Sequence, residues 1–219
     1  MTATAKEAGR GERPSARERL LAAANELFYR EGVQSVGIDR VIEHAGVAKA
    51  SLYNCFGSKE GLVQAYLESR HERNSARILR VMPRYGTARE RLLGIFDAQD
   101  ESFHDPEFNG CAFVAASAEA PHGGAVEQAS DAYRGWLRGL FTSLAAEAGA
   151  PDPETLGRQL HLLYDGSTLS ARMDRDRTAA AAARAAAAAL LDAVLPPERA
   201  DAAPGRAPAT PGPVAARRA

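Results

Sequence analysis

Residues 37–67 read GIDRVIEHAGVAKASLYNCFGSKEGLVQAYL, and this stretch decides the fold. Ile38, Val41, Ile42 and Ala45 recur at helical spacing and stop at Gly46; Val47, Leu52, Tyr53 and Phe56 form a second short pattern that stops at Gly57. Gly46 can take a positive φ without a Cβ penalty, so it can turn the chain between two helices held at a fixed angle. Ile42, Val47 and Leu52 are spaced to face a preceding helix and lock that angle. The second helix then starts near Ala48 and exposes Lys49, Ala50, Ser51, Tyr53 and Asn54. A helix fits the major groove of DNA, and its N-terminal half is the part that reaches base edges.

Upstream, Ser15-Ala-Arg-Glu18 is a capping box ahead of Leu20, Leu21, Ala24, Leu27 and Phe28, a helix that Gly32 ends. Residues 15–60 thus form a three-helix helix-turn-helix domain. Residues 1–14 carry Lys6, Arg10, Arg13 and Pro14 and read as a mobile arm, either a groove-reaching basic segment or a solvated terminus. Downstream, Ser58 caps a fourth helix through Leu62, Tyr66, Leu67, Ile78 and Leu79 until Pro83. A capping box at Thr87–Glu90 opens a helix to about Phe103, residues 104–110 are a loop, and a short helix runs from Cys111 to Glu119. The stripe Val126, Ala129, Tyr133, Trp136, Leu137, Leu140, Phe141 and Leu144 predicts a long helix ending at Gly149/Pro151. Asp152-Pro153 then starts a helix to about Met173. An alanine-rich helix spans Thr178 to Leu195, and Pro196-Pro197 ends it. The expected class is all-α: the N-terminal helix-turn-helix domain, a helical bundle over residues 61–195 for ligand binding and dimerisation, and a disordered Pro/Ala/Arg tail over 196–219.

Composition narrows the function classes. The chain has 219 residues, 45% of them hydrophobic, and a formal net charge of −1, so binding to DNA requires a local basic face. No run of eighteen apolar residues occurs, and the first residues have no apolar stretch ahead of a cleavage site. Cys55 and Cys111 are too few for a disulfide framework or a four-thiolate zinc site. A cytoplasmic protein without a cofactor is expected.

The stretch from about Arg17 to Leu67 resembles the DNA-binding region of TetR-type repressors, whose signature typically reads A-G-V-S-x-G-T-L-Y-x-H-F and then x-S-K-E-x-L. The resemblance implies that Lys49, Ala50 and Ser51 open the recognition helix, that Tyr53 and Asn54 lie against the duplex, and that Lys59 holds a phosphate. Chemistry supports the last role independently, since Lys59 follows Ser58 at a helix N-terminus, where an ammonium and backbone N–H groups point toward an anion. Gly37, Ala48, Ala50 and Cys55 depart from the pattern, each removing a hydroxyl or imidazole or altering the start of a helix. Phosphate contacts are many and small, so altered affinity is expected rather than loss of binding. The resemblance also implies a bundle that encloses an effector cavity and a homodimer paired through its last two helices. Phe108 to Phe113, F-N-G-C-A-F, is similar to a segment of some members.

Within the bundle, Tyr133, Trp136, His161 and Tyr164 carry polar tips on apolar stripes and are candidate ligand contacts, or else satisfied core residues. Leu190, Leu191 and Val194 are candidates for a buried interface. Cys111 begins a helix, where the dipole would favour a thiolate, and Cys55 lies on the expected DNA face. A different class of function is carried by Glu68-x-x-His71 and Glu101-x-x-His104, two E-x-x-H pairs of the kind that di-iron carboxylate bundles use. Against it, Glu68 and His71 lie among polar neighbours and His104 precedes Pro106. Catalytic triads, phosphate-binding glycine loops and zinc spacing are absent, and no enzyme is expected.

Overall fold

The computed structural model describes residues 14–120 and 123–196. Among these, nine α-helices carry the fold: α1 (Ala16–Glu31), α2 (Ile38–Ala45), α3 (Lys49–Phe56), α4 (Lys59–Val81), α5 (Ala88–Phe103), α6 (Ala112–Glu119), α7 (Ala125–Glu147), α8 (Pro153–Met173) and α9 (Ala179–Val194). The expected basic arm, with Lys6, Arg10 and Arg13, and nearly all of the expected tail lie outside the described residues.

Capping chemistry sets most of these boundaries. The Ser15 hydroxyl accepts from Glu18 N–H at 3.2 Å while the Glu18 carboxylate accepts from Ser15 N–H at 2.7 Å. Those bonds hold the Glu18 carboxyl below its ordinary range. Thr87 and Glu90 repeat the arrangement on α5, and Asp152 caps α8 ahead of Pro153. At the far end of α4 a 3₁₀ turn, Met82–Arg84, takes up Pro83, which lacks the N–H a further α-turn needs.

In the head, α1 lies across α2 and α3. Leu20, Ala24, Leu27 and Phe28 meet Val36, Val41 and Leu52, and the apolar cluster continues without a break into Leu62, Val63, Tyr66 and Leu67 of α4. Phe28 and Tyr66 pack edge to face with ring centres 5.6 Å apart. Helix α4 therefore belongs to the core of the head and, through Ile78 and Val81, to the core of the bundle. Leu79, counted in the apolar pattern of this helix, is instead exposed, because Ile78 and Val81 occupy the inward face.

A second tie joins head to bundle. The Tyr29 hydroxyl at the end of α1 donates to the Gly110 carbonyl and accepts from Asn109 N–H, each at 2.9 Å. Asn109 Nδ2 donates back to the Tyr29 carbonyl at 2.7 Å. The Arg70 guanidinium covers the other side of the ring at 3.6 Å from its centre. The loop before α6 is thereby stapled to the first helix.

The bundle is built on α5, whose Leu92, Ile95 and Phe96 are fully buried between α7 and the α8–α9 pair. Small inward residues on α9, Ala179, Ala180, Ala183 and Ala187, let it approach α5 and α8 closely. Gln99 is buried between α5 and α8, donating to the Tyr164 carbonyl and Thr168 Oγ1 and accepting from Ser167 Oγ, all at 2.8 Å. A buried amide with its bonds made fixes the register of those helices, since a slip would leave it unpaired.

Candidate nucleic-acid interface and regulatory bundle

Gly46 has φ 61° and ψ 44°, and its N–H closes the end of α2 on Ile42 and Glu43. Arg19 of α1 donates to the Gly46 carbonyl at 3.1 Å, so the first helix also holds the turn. Helix α3 is then anchored by Leu52, which is fully buried beneath it. Its opposite side presents Lys49, Ala50, Tyr53 and Asn54 to solvent, with Ser51 half-buried among them. All five expected recognition-helix positions thus share one accessible surface, and Tyr53 is 46% exposed despite being a large aromatic.

The N-termini facing that surface are bare of side-chain caps. Neither Gly37 ahead of α2 nor Ala48 ahead of α3 supplies a capping side chain, which leaves backbone N–H groups free of that competition. Lys49 Nζ donates to Asp39 Oδ1 at 2.9 Å, tying the first residue of α3 to α2, and this bond raises the lysine pKa. Sequence spacing has no means of showing that pairing, because the two residues meet only across the turn.

At the start of α4, Lys59 is half-buried and follows the cap Ser58, whose hydroxyl accepts from Gly61 N–H at 3.1 Å. Bonds from its own backbone N–H and from Ser58 lower the Glu60 pKa. The helix N-terminus is therefore partly occupied, and the Lys59 ammonium becomes the main group it offers to an anion. Gly61 carries no signal in the sequence pattern. A Cβ built there would lie 2.1 Å from the Phe56 carbonyl oxygen, so α3 and α4 meet backbone to backbone. Phe56 is half-buried with the Arg17 guanidinium 5.3 Å from its ring centre, a structural position rather than a contact surface.

In the bundle, all four candidate ligand residues make aromatic contacts, His161 through Phe141 alone. Tyr133 stacks on Phe113 at 4.3 Å between ring centres and lies 6.4 Å from Trp136, and His71 of α4 meets both at 5.5 Å. Tyr164 packs on Phe96 and Phe141 from the other side. Burial pushes the Tyr133 and Tyr164 hydroxyls above the ordinary phenol range. His161 is buried at 3% exposure and lines a cleft of about 310 Å³ between α7 and α8. Cys111 departs from expectation. Burial pushes its thiol up, and this outweighs the lowering by the N–H groups of Phe113 and Val114, so the helix start does not produce a thiolate.

The two E-x-x-H pairs find other partners. Glu101 accepts from Arg80 at 2.6 Å and from Arg84 at 3.4 Å, His104 bonds the Asp100 carbonyl at 3.0 Å, and His71 is engaged by the aromatic cluster. Among the described residues no group of three or more His, Cys, Asp or Glu side chains could hold a metal ion. Nor is any described helix long and apolar enough to cross a membrane.

Known proteins share this arrangement. The family model described as "Bacterial regulatory proteins, tetR family" matches residues 20–66, from the buried face of α1 into α4. The solved structure of SCO4454, a TetR-family transcriptional regulator from Streptomyces coelicolor, superposes with a TM-score of 0.78 at 32% identity, covering 82% of this chain and 95% of that one. The HTH-type transcriptional repressor NemR of Escherichia coli (strain K12) is 28% identical over 171 residues, which cover 73% of this chain and 85% of that protein. The uncharacterized HTH-type transcriptional regulator YezE of Bacillus subtilis (strain 168) is 27% identical over 105 residues, 47% of this chain and about half, 54%, of that protein. With the helix-turn-helix, the bundle and the order of all nine described helices in place, the chain belongs to the TetR family of bacterial transcriptional regulators.

Proposed function

We propose that the protein is a cytoplasmic repressor that binds a palindromic operator as a homodimer and releases it on binding a small molecule. The observation that carries the DNA role is the division of α3: Leu52 is fully buried, Lys49, Ala50, Tyr53 and Asn54 are exposed with Ser51 half-buried among them, and Lys59 opens the next helix. Gly37 belongs to this surface through the uncapped start of α2. Tyr53 offers a hydroxyl to phosphate and a ring to sugar, Asn54 offers an amide to base edges, and Lys49 would reach them on leaving Asp39.

Support for dimerisation comes from α8 and α9. Leu162, Leu169 and Met173 are 65%, 58% and 72% exposed, and their spacing of seven and four residues puts them on one stripe of α8. Beside it, α9 turns Ala182, Ala185, Ala186 and Ala189 outward, small residues that permit close helix approach. A two-fold pairing of these faces would cover Leu169 and Met173, leave Leu162 at its edge, and present two recognition helices to two half-sites.

The division into a DNA-reading head over 15–60 and a regulatory and dimerising bundle over 61–195 assigns coupling to α4. This helix begins at the phosphate anchor Lys59 and, twelve residues or roughly 18 Å further on, packs His71 against the candidate effector contacts Tyr133 and Trp136. An effector touching Tyr133, Trp136, His161 or Tyr164 would shift the spacing of the heads by no more than its difference in affinity for the two arrangements.

Substituting the anchor tests the reading. Lys59→Ala should weaken binding to the operator about tenfold or more and, by leaving two phosphates (one per half-site) without their cations, flatten the salt dependence by about two units of log–log slope. Tyr53→Ala should weaken binding at least as much, and both variants should remain dimeric. Operator affinity equal to wild type in both, measured by fluorescence anisotropy across a salt series, would remove this surface from the interface.

A further inference from the structure

The cleft between α7 and α8 is lined by Arg134, Arg138, Arg158, His161, Leu162 and Asp165. Arg134 is committed, donating to Asp165 Oδ2 at 2.8 Å. Arg138 and Arg158 have no ion pair among the described residues, so three guanidinium groups face one carboxylate. His161 adds an independent observation. It is 3% exposed, it lines the cleft, and its Nε2 has no hydrogen-bond partner. The nearest acidic oxygen, Asp165 Oδ1, is 3.6 Å away, beyond hydrogen-bond length. Buried ring nitrogens are ordinarily satisfied, so an orphan beside two unpaired arginines marks a missing partner.

We propose that this cleft binds a small organic monocarboxylate. The carboxylate is held by Arg138 and Arg158 and takes the free nitrogen of His161, while its apolar body lies on Leu162. Guanidinium groups match a carboxylate through paired N–H donors, and a volume of about 310 Å³ suits a small organic ligand. Asp165 stays in the cleft beside Arg134 and discriminates against a dianion such as phosphate by like-charge repulsion. Phe141 packs on the inner side of His161 with ring centres 6.3 Å apart, so the imidazole cannot turn away to find a partner in the core.

Binding should also respond to pH. Burial lowers the His161 pKa, Asp165 opposes this from the same helix, and Arg134 and Arg138 on α7 reinforce it. Arg158 on α8 also lines the cleft. An anion against Nε2 favours the imidazolium, so binding takes up a proton and tightens several-fold as pH falls from about 8 to about 6. Occupancy of the cleft does not depend on the repressor reading. Only an effect on DNA binding would rest on that reading.

The test is calorimetric titration of the full chain, without DNA, using benzoate and separately inorganic phosphate at constant ionic strength. Benzoate should bind saturably with a millimolar or tighter Kd and exceed phosphate. Arg138→Gln combined with Arg158→Gln should weaken it roughly tenfold or more. Both arginines are exposed, so an unchanged melting temperature is expected and would show that the variant is folded. Absence of benzoate binding, equal binding by the double variant, or phosphate binding as tightly as benzoate would overturn the proposal. Loss of the dimer in the double variant would overturn it too, assigning the cleft to an acidic group of a second copy.

Discussion

Replacing Gly61 with alanine is expected to destabilise the protein by about 3 kcal/mol and to abolish operator binding at the same time. The added Cβ would stand 2.1 Å from the Phe56 carbonyl oxygen and 3.2 Å from its carbon, and neither atom belongs to a side chain that can swing aside. Relief requires α4 to move away from α3. That shift pulls Leu62 and Val63 out of the core of the head and displaces Lys59 from the recognition helix. Two consequences with one cause should therefore appear together in urea denaturation and in anisotropy. Gly135→Ala on α7 is the matched control, because a Cβ there meets nothing within 4 Å. In a helix interior that change should stabilise by about 0.5–1 kcal/mol. A Gly61→Ala protein within about 0.5 kcal/mol of wild type would contradict the backbone contact between α3 and α4.

The second large effect concerns assembly. Leu169→Glu with Met173→Glu should convert a dimer into a monomer at micromolar concentration and weaken operator binding by roughly a hundredfold or more. The two side chains are 58% and 72% exposed in the single chain, so the fold of the monomer loses almost nothing. In a two-fold interface each substitution counts twice, and the added carboxylates would be buried without partners, a cost of several kcal/mol. A monomer offers one recognition helix and loses the gain from engaging both half-sites together. Sedimentation velocity separates the outcomes, and an unperturbed dimer would move the interface away from this face of α8.

Much of the fold is legible in the sequence because its punctuation is local. Capping boxes at Ser15 and Thr87, the cap and proline at Asp152-Pro153, and the glycines at 46 and 57 each act within a few residues, so they set helix ends without reference to the rest of the chain. The accessible side of α3 is legible from the family resemblance, because the apolar pattern itself groups Tyr53 with Leu52 and only burial separates them. What escapes depends on residues distant in sequence. Gly61 matters only because Phe56 crosses it, and Tyr29 acts as a staple only because Asn109 and Gly110 fold back on it. The expectation for Cys111 considered the helix dipole and not the desolvation that tertiary packing imposes, and desolvation is the larger effect. The arginine cleft carries a faint signal, Arg134 and Arg138 four residues apart on α7. Its meaning requires knowing that α7 and α8 lie side by side, which brings Arg158 and His161 to the same place.

The two E-x-x-H pairs show the converse. Their spacing is a real feature of the sequence, yet Glu101 pairs with Arg80 and Arg84 and His71 packs into an aromatic cluster. Spacing proposes a metal site only when the helices that carry it turn those side chains toward one another.

Whether α3 reads sequence from a two-fold assembly is tested most directly by selecting bound fragments from a random DNA pool with the purified full chain and sequencing them. The expected result is enrichment of inverted repeats whose half-site centres lie about one helical turn, roughly 10 base pairs, or a multiple of it apart. Enrichment of a single unrepeated motif, or of no motif at all, would contradict a paired recognition helix.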